Sequence, residues 1–235
     1  MKRTLLIITD ERPEYLARTV ASAAKHLPPF DRRLMMDDSG NPEFARYLDV
    51  TYPDFEIHHN EHNLGRAATM RKAWNLIAES DADFVFHLQN DFVFTGPVPL
   101  NDIQAVLERK PRLAQVALLR QPWNDAEKAA GSIYAKDGID RYFQRVAPGR
   151  DGLVYFLEQT IRWTDNPSLF PADLCRRLPY PVDANVEGGF SDMVRAAGYV
   201  CGYWGTLTDP PRCEHIGYRS FRHESPSDGR MRVSG

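Results

Sequence analysis

Leu5-Leu6-Ile7-Ile8-Thr9-Asp10-Glu11-Arg12-Pro13-Glu14-Tyr15-Leu16 holds most of the architecture in miniature. Four apolar residues run without a polar break, as in a strand buried on both faces. A charged turn follows, and Pro13 opens a helix, where proline is tolerated in the first turn. Leu16, Thr19, Val20, Ala23 and Leu27 then recur at spacings of three and four, until Pro28-Pro29 stops the pattern. The same alternation continues outward. Leu34-Met35-Met36 is a second strand and runs into Asp37-Asp38-Ser39-Gly40. Phe55 to His58 is a third, followed by a polar loop from Asn60 to Gly65. Ala67, Met70, Ala73, Trp74, Ile77 and Ala78 form one apolar helical stripe. Phe84-Val85-Phe86-His87-Leu88 is a fourth strand and ends at Gln89-Asn90-Asp91. This order predicts an α/β fold with a mostly parallel central sheet and flanking helices. Ligands of such sheets collect beyond the carboxyl ends of the strands. The clusters Thr9–Arg12, Asp37–Gly40, Asn60–Arg66 and Gln89–Asp91 all fall there.

The second half is less regular. Asn101 is expected to cap a helix through Ile103, Val106 and Leu107 that stops at Pro111. Ala114 to Leu119 reads as a strand, and residues 120 to 150 as a loop or insert without a clean period. Gly152 to Phe156 reads as extended, Pro171 to Arg177 as a short helix, and Tyr199 to Trp204 as a strand. Glu187 to Ala197 reads as a helix closed by Gly198, a usual residue just past a helix end. The tail after His215 is rich in Arg, Ser and Gly and is expected to pack poorly.

Bulk properties narrow the function classes. The 235 residues fit one large domain at roughly 150 residues per domain. With 29 basic and 32 acidic residues, the chain lacks the basic excess of a chain-wide nucleic-acid footprint. Cys175, Cys201 and Cys213 are odd in number and lack CxxC spacing, which argues against a disulfide framework or structural zinc and for reduced thiols. After Lys2-Arg3 the apolar run Leu5–Ile8 is too short for a signal peptide. No stretch approaches a membrane span, so a cytoplasmic location is expected.

Taken together, these motifs resemble the family 2-like glycosyltransferases of GT-A fold. The first strand and its Arg12-Pro13-Glu14-Tyr15-Leu16 turn match that pattern. So does Asp37-Asp38-Ser39-Gly40, with the last two residues exchanged relative to the usual order. Asn63-Leu64-Gly65 leads into a helix carrying Arg66, Arg71 and Lys72. Gln89-Asn90-Asp91 stands where the family has its metal-binding Asp-x-Asp, with the first aspartate absent. Glu187-Gly188-Gly189-Phe190 precedes a helix closing at Ala197-Gly198-Tyr199, and His215-Ile216-Gly217 follows. The resemblance covers residues 4 to 95 well and 165 to 217 loosely. It implies a GT-A domain over residues 1–217, with a nucleotide-binding half (1–95), an acceptor-binding half (96–217) and a tail (218–235).

What the resemblance implies chemically is a sugar transfer from a nucleoside diphosphate sugar, by default a UDP-sugar, to an acceptor hydroxyl with inversion. A divalent cation, Mn²⁺ or Mg²⁺, would stabilise the charge growing on the diphosphate. Asp91 would be its principal ligand and His215 a second. Thr9, Glu11, Arg12 and Asp38 would hold the base or ribose, with Asp37 turned back into its own loop. Arg12 has an alternative in a structural ion pair. Asn63, Gly65, Arg66, Arg71 and Lys72 would line the anion side near a helix N-terminus, or form a solvated basic face. Gln89 and Asn90 would contact metal-bound water or the ribose. Glu187 would take the acceptor proton, with Asp192 as fallback and Gly188-Gly189 leaving room. Trp163, Tyr203 and Trp204 would offer sugar-stacking faces or, more commonly, pack in the core. The acceptor stays open between a glycan, a lipid-linked sugar, a protein and a modified nucleic acid, the last two permitted by the basic tail. Two rival readings are a sugar-nucleotide-binding protein with little transferase activity and a nucleotidyltransferase. The second fits poorly, because Thr9-Asp10-Glu11-Arg12 is acidic and glycine-free.

Overall fold

A computed structural model describes residues 1–122, 124–131, 144–148, 152–159, 162–181, 186–206 and 208–217. The basic tail expected beyond residue 217 lies outside them. In chain order the elements are β1 (Arg3–Thr9), α1 (Pro13–His26), β2 (Arg32–Asp37), α2 (Pro42–Thr51), β3 (Glu56–His59), α3 (Arg66–Ala78) and β4 (Phe84–Gln89). There follow β5 (Phe92–Phe94), α4 (Leu100–Arg109), β6 (Leu113–Ala117), α5 (Asp125–Ala130), β7 (Gln144–Pro148) and β8 (Leu153–Gln159). The chain continues through β9 (Ser168–Pro171), α6 (Asp173–Arg177), α7 (Val186–Ala196), β10 (Val200–Trp204) and β11 (Cys213–His215).

Local chemistry explains the helices nearest the site. Pro13 occupies the first turn of α1, with Glu14 near its N-terminus and Lys25 and His26 near its C-terminus, each suited to the helix dipole. Asn41 caps α2 by accepting from the backbone N–H groups of Glu43 and Phe44, and Pro42 follows it. This helix is not among the elements expected from the sequence. Two other expectations need correction. Asn101 does not cap α4; Pro99 stands at that cap, and the Asn101 side chain accepts from Arg3 instead. The stretch 120–150, read as a loop or insert, holds α5 and β7 among its described residues.

Among the described residues, one nine-stranded sheet runs in the order β3-β2-β1-β4-β9-β6-β10-β8-β7. β1, β2, β3 and β4 are mutually parallel. β9 runs antiparallel to both β4 and β6, β10 is parallel to β6, and β8 opposes β10 and β7. Within this sheet all strands but β8 and β9 point one way; the β3-β2-β1-β4 half is parallel as expected, while β9 and β8 insert antiparallel pairings into the other half. A two-stranded ribbon pairs β5 with β11.

The sheet buries an apolar layer on each face, because helices cover both. On one face Ile7, Met35 and Phe86 pack beneath α1, α2 and α4. On the other, Leu6, Met36 and Val85 pack beneath α3, α6 and α7. Trp74 centres the second layer: it stacks on Phe170, meets Phe190 edge-on, and donates its indole N–H to the Leu178 carbonyl at 2.7 Å. Trp163 and Tyr203 are 1% exposed and Trp204 is 7% exposed. These rings are core, and none presents a face for a sugar.

Candidate active site

Four segments leave the sheet at its carboxyl edge, and hydrogen bonds tie them together. Thr9 ends β1 and accepts from the Asn90 side-chain amide at 3.1 Å. The next turn places Glu11 at φ 42°, left-handed backbone that costs an L-residue roughly 1–2 kcal/mol. Arg12 follows at the N-cap of α1 and folds back over the edge. Its guanidinium donates to Asp91 Oδ2 at 3.0 Å and Asn90 Oδ1 at 3.2 Å. Arg12 therefore forms an ion pair, its alternative role, at the carboxyl edge beside Asn90 and Asp91.

Asp37 ends β2 and turns back as expected, accepting from the Ser39 N–H at 2.9 Å. Its other oxygen meets His59 Nδ1, whose Nε2 meets Asp49. Burial opposes protonation of His59, but the bonds to these two carboxylates outweigh it and raise its pKa. Asp38 is buried, and its Oδ1 accepts from Thr69 Oγ1, the Leu64 N–H and Asn60 Nδ2. That oxygen is thus committed to holding the 60–65 loop and α3 against β2. Gly40 completes the clasp: an added Cβ would sit 2.4 Å from the His62 backbone, and its φ is +67°.

The basic residues of α3 divide. Asn63 accepts from the Gly65 N–H, which sets the helix entry. Arg66, in the first turn, ion-pairs with the buried carboxylate of Asp165. Arg71 donates to the Tyr180 carbonyl at 2.6 Å, and Lys72 to Asn60 Oδ1 at 2.8 Å. Arg66 alone of the three reaches the centre of the site. Below it His87 is fully buried, and burial with the nearby Arg66 charge lowers its pKa to about 3, so the ring is neutral.

Asp91 follows β4 and is 3% exposed. Pairing of Phe92 with His215 in the ribbon brings residues 91 and 215 together across the chain. His215 Nε2 lies 3.6 Å from Asp91 Oδ2. Gln121 brackets the His215 backbone, donating to its carbonyl and accepting from its N–H. Gly217 presses so closely on the Asp91 carboxylate that an added Cβ would stand 2.3 Å from Oδ2. Burial pulls the His215 pKa down, against the opposing Asp91 charge, which keeps the ring neutral near pH 7. Asp91 Oδ1 is buried without a hydrogen-bond partner. An orphaned carboxylate oxygen beside a neutral imidazole fits a hard divalent cation. Among the described residues no cluster of three or more His, Cys, Asp or Glu gathers. A cation here would complete its shell with phosphate oxygens and water, as magnesium-like sites do.

Glu187 lies in the first turn of α7, and its Oε1 accepts from the Asp165 N–H at 3.0 Å. Asp165 in turn accepts from Tyr180 at 3.2 Å and pairs with Arg66. Antiparallel pairing of Ser168 with His87 delivers the 165–167 segment to the edge where β4 exits toward Asp91. Asp192 is exposed and paired with Arg195, outside this cluster. Asp165, Tyr180, Gln121 and Arg120 escaped the sequence reading. Arg120 and Glu127 form a buried ion pair, and Arg120 also donates to Asn166 next to Asp165. Asn124 and Glu127 carried a readable signal, since they form a reciprocal capping pair.

No protein-family model and no curated protein sequence matches the chain. Solved structures do. A mannosyltransferase from Pyrobaculum calidifontis, solved with GDP-Man and Mn²⁺, superposes at TM-score 0.62 with 16% identity over 94% of this chain. The fold is that of the GT-A glycosyltransferases. GalNAc-T7, solved with UDP, GalNAc and Mn²⁺, superposes at 0.64 with 12% identity over 93% of the chain. S. aureus TarS 1-349 gives 0.57 with 12% identity over 92%. The GT-A core here spans 58%, 44% and 60% of those chains respectively.

Proposed function

We propose that the chain is an inverting glycosyltransferase, taking a nucleoside diphosphate sugar, with UDP-sugars as the first candidates, to an acceptor hydroxyl. The observation that carries this reading is the joining of distant carboxylates at one sheet edge. Asp38 reaches Asn90-Asp91 through Thr9; it also holds the Leu64 N–H, and two residues along the chain Arg66 pairs with Asp165, which donates its N–H to Glu187.

In this proposal Asp91 and His215 hold a divalent cation, which would supply positive charge to the departing diphosphate. Arg66, half-exposed beside a helix N-terminus, adds positive charge on the same side. Glu187 accepts the proton of the acceptor hydroxyl as that oxygen bonds to the anomeric carbon and the carbon–diphosphate bond breaks. Displacement from the opposite face inverts the centre. Asp165 positions Glu187 through its backbone N–H and keeps Arg66 at the cleft. Residues 1–95 form the donor half and 96–217 the acceptor half. The three cysteines are buried free thiols, which supports a reducing, cytoplasmic setting. The acceptor is a glycan, lipid-linked sugar, protein or modified nucleic acid.

Thermal unfolding with a panel of nucleotide sugars, with and without Mn²⁺, tests donor binding. A donor at a hundred times its Kd should add about 2.7 kcal/mol of stability. If no nucleotide sugar moves the melting temperature, the reading fails at its first step.

A further inference from the structure

Resting on that reading, the geometry points to Arg12 as a built-in counter-ion of the Asp91 cation site, one that a divalent cation must displace from Oδ2 or share it with. Asp91 is an anion removed from water, and burying a lone carboxylate is costly. The chain answers that cost internally. Arg12 Nη1 lies 3.0 Å from Oδ2 and Nη2 lies 3.2 Å from Asn90 Oδ1. Its side chain is only 14% exposed and is held over the Tyr15 ring. His215 Nε2 and the Gly217 backbone also approach Oδ2, and Asp91 Oδ1 keeps no hydrogen-bond partner. The carboxylate thus has one oxygen neutralised by guanidinium and one left vacant.

Two consequences follow from charge alone. The chain supplies Asp91 with a positive partner of its own, so the carboxylate has a counter-charge besides any cation. A divalent ion arriving at Oδ1 meets a carboxylate already paired and a fixed positive charge nearby, so its affinity is set below that of a bare carboxylate–histidine pair. The absence of the first aspartate, replaced by Gln89, acts in the same direction. Arg12 retains Asn90 as a partner when Asp91 turns to a cation.

Mn²⁺ binding, followed by electron paramagnetic resonance without donor or turnover, tests this. Arg12→Gln should bind Mn²⁺ at least about tenfold tighter than the unaltered protein, since a like charge has gone. Arg12→Lys should stay within about threefold, since the charge remains. Equal or weaker binding by a folded Arg12→Gln overturns the inference. A second readout uses the unaltered chain: Mg²⁺ should shift the Arg12 guanidinium resonances in ¹H–¹⁵N spectra, and binding that leaves them unmoved overturns it as well. Asp91→Asn separates this failure from the larger one. If Asp91→Asn binds Mn²⁺ like the unaltered protein, the cation site itself is misplaced. If Asp91→Asn loses binding while Arg12→Gln gains nothing, only the role of Arg12 falls.

Discussion

The cleft has two arginine–aspartate pairs, and they differ in the burial of the arginine. Arg12 beside Asp91 and Arg66 beside Asp165 both neutralise a carboxylate that is 4% exposed, but the Arg12 side chain is 14% exposed and that of Arg66 is 44% exposed. A sealed pair is a structural commitment, because either charge alone would be stranded. A pair with one partner in solvent is exchangeable, because water and ligand can replace the arginine cheaply. The contrast marks Arg66 as the partner that solvent can replace and Arg12 as the one whose release from Asp91 needs another cation in its place.

Stability measurements sharpen or break this contrast. Arg12→Gln should cost about 3 kcal/mol in urea unfolding by leaving Asp91 buried and unpaired, and saturating Mn²⁺ should return part of it. Arg66→Gln should cost about 1 kcal/mol or less, since solvent screens the exposed guanidinium and Tyr180 still serves Asp165. Equal costs would erase the distinction. A smaller effect is expected at His59, which clasps the Asp37 turn outside both pairs. Its folded pKa is raised, so its contribution is complete below the unfolded value near 6.5 and is lost as pH climbs through the folded value. Stability measured from pH 6 to 8 should therefore fall by about 0.5 kcal/mol more in the unaltered protein than in His59→Gln, a figure reduced for the partly exposed ring. Smallest is Glu11→Gly. Relief of the left-handed backbone outweighs the added chain entropy, for a net gain of about 0.5 kcal/mol in thermal unfolding. A loss there would mean that the Glu11 side chain, rather than its backbone angle, holds Arg12 over Asp91.

The sequence disclosed the part of the molecule governed by local period. β1 through β4, α1 and α3 are short apolar runs and stripes whose pattern is readable residue by residue. α2 carries a weaker signal, the Asn41-Pro42 start and the spacing of Phe44, Tyr47 and Leu48, because its apolar stripe spans little more than one turn. β9 was not readable, because four residues gain strand character only by lying between β4 and β6. Candidate-site residues showed the same division. Thr9, Asp38, Asp91 and His215 were chosen from motifs, and the fold brings them to one edge. Asp165 and Tyr180 belong to no local pattern; Asp165 matters because Arg66, 99 residues earlier, and Glu187, 22 residues later, both meet it, and Tyr180 donates to its carboxylate. The aromatic residues Trp163, Tyr203 and Trp204 show the limit of composition, since only packing determines whether a ring meets a sugar or the core.

In the proposed reaction Glu187 removes the acceptor's proton. This step is tested most directly by single-turnover transfer, once a donor has been found, in the unaltered protein and in Glu187→Gln under saturating donor. We predict a rate loss of about a hundred- to ten-thousandfold, with donor affinity and melting temperature nearly unchanged. Transfer by Glu187→Gln within a few-fold of the original rate would contradict the account.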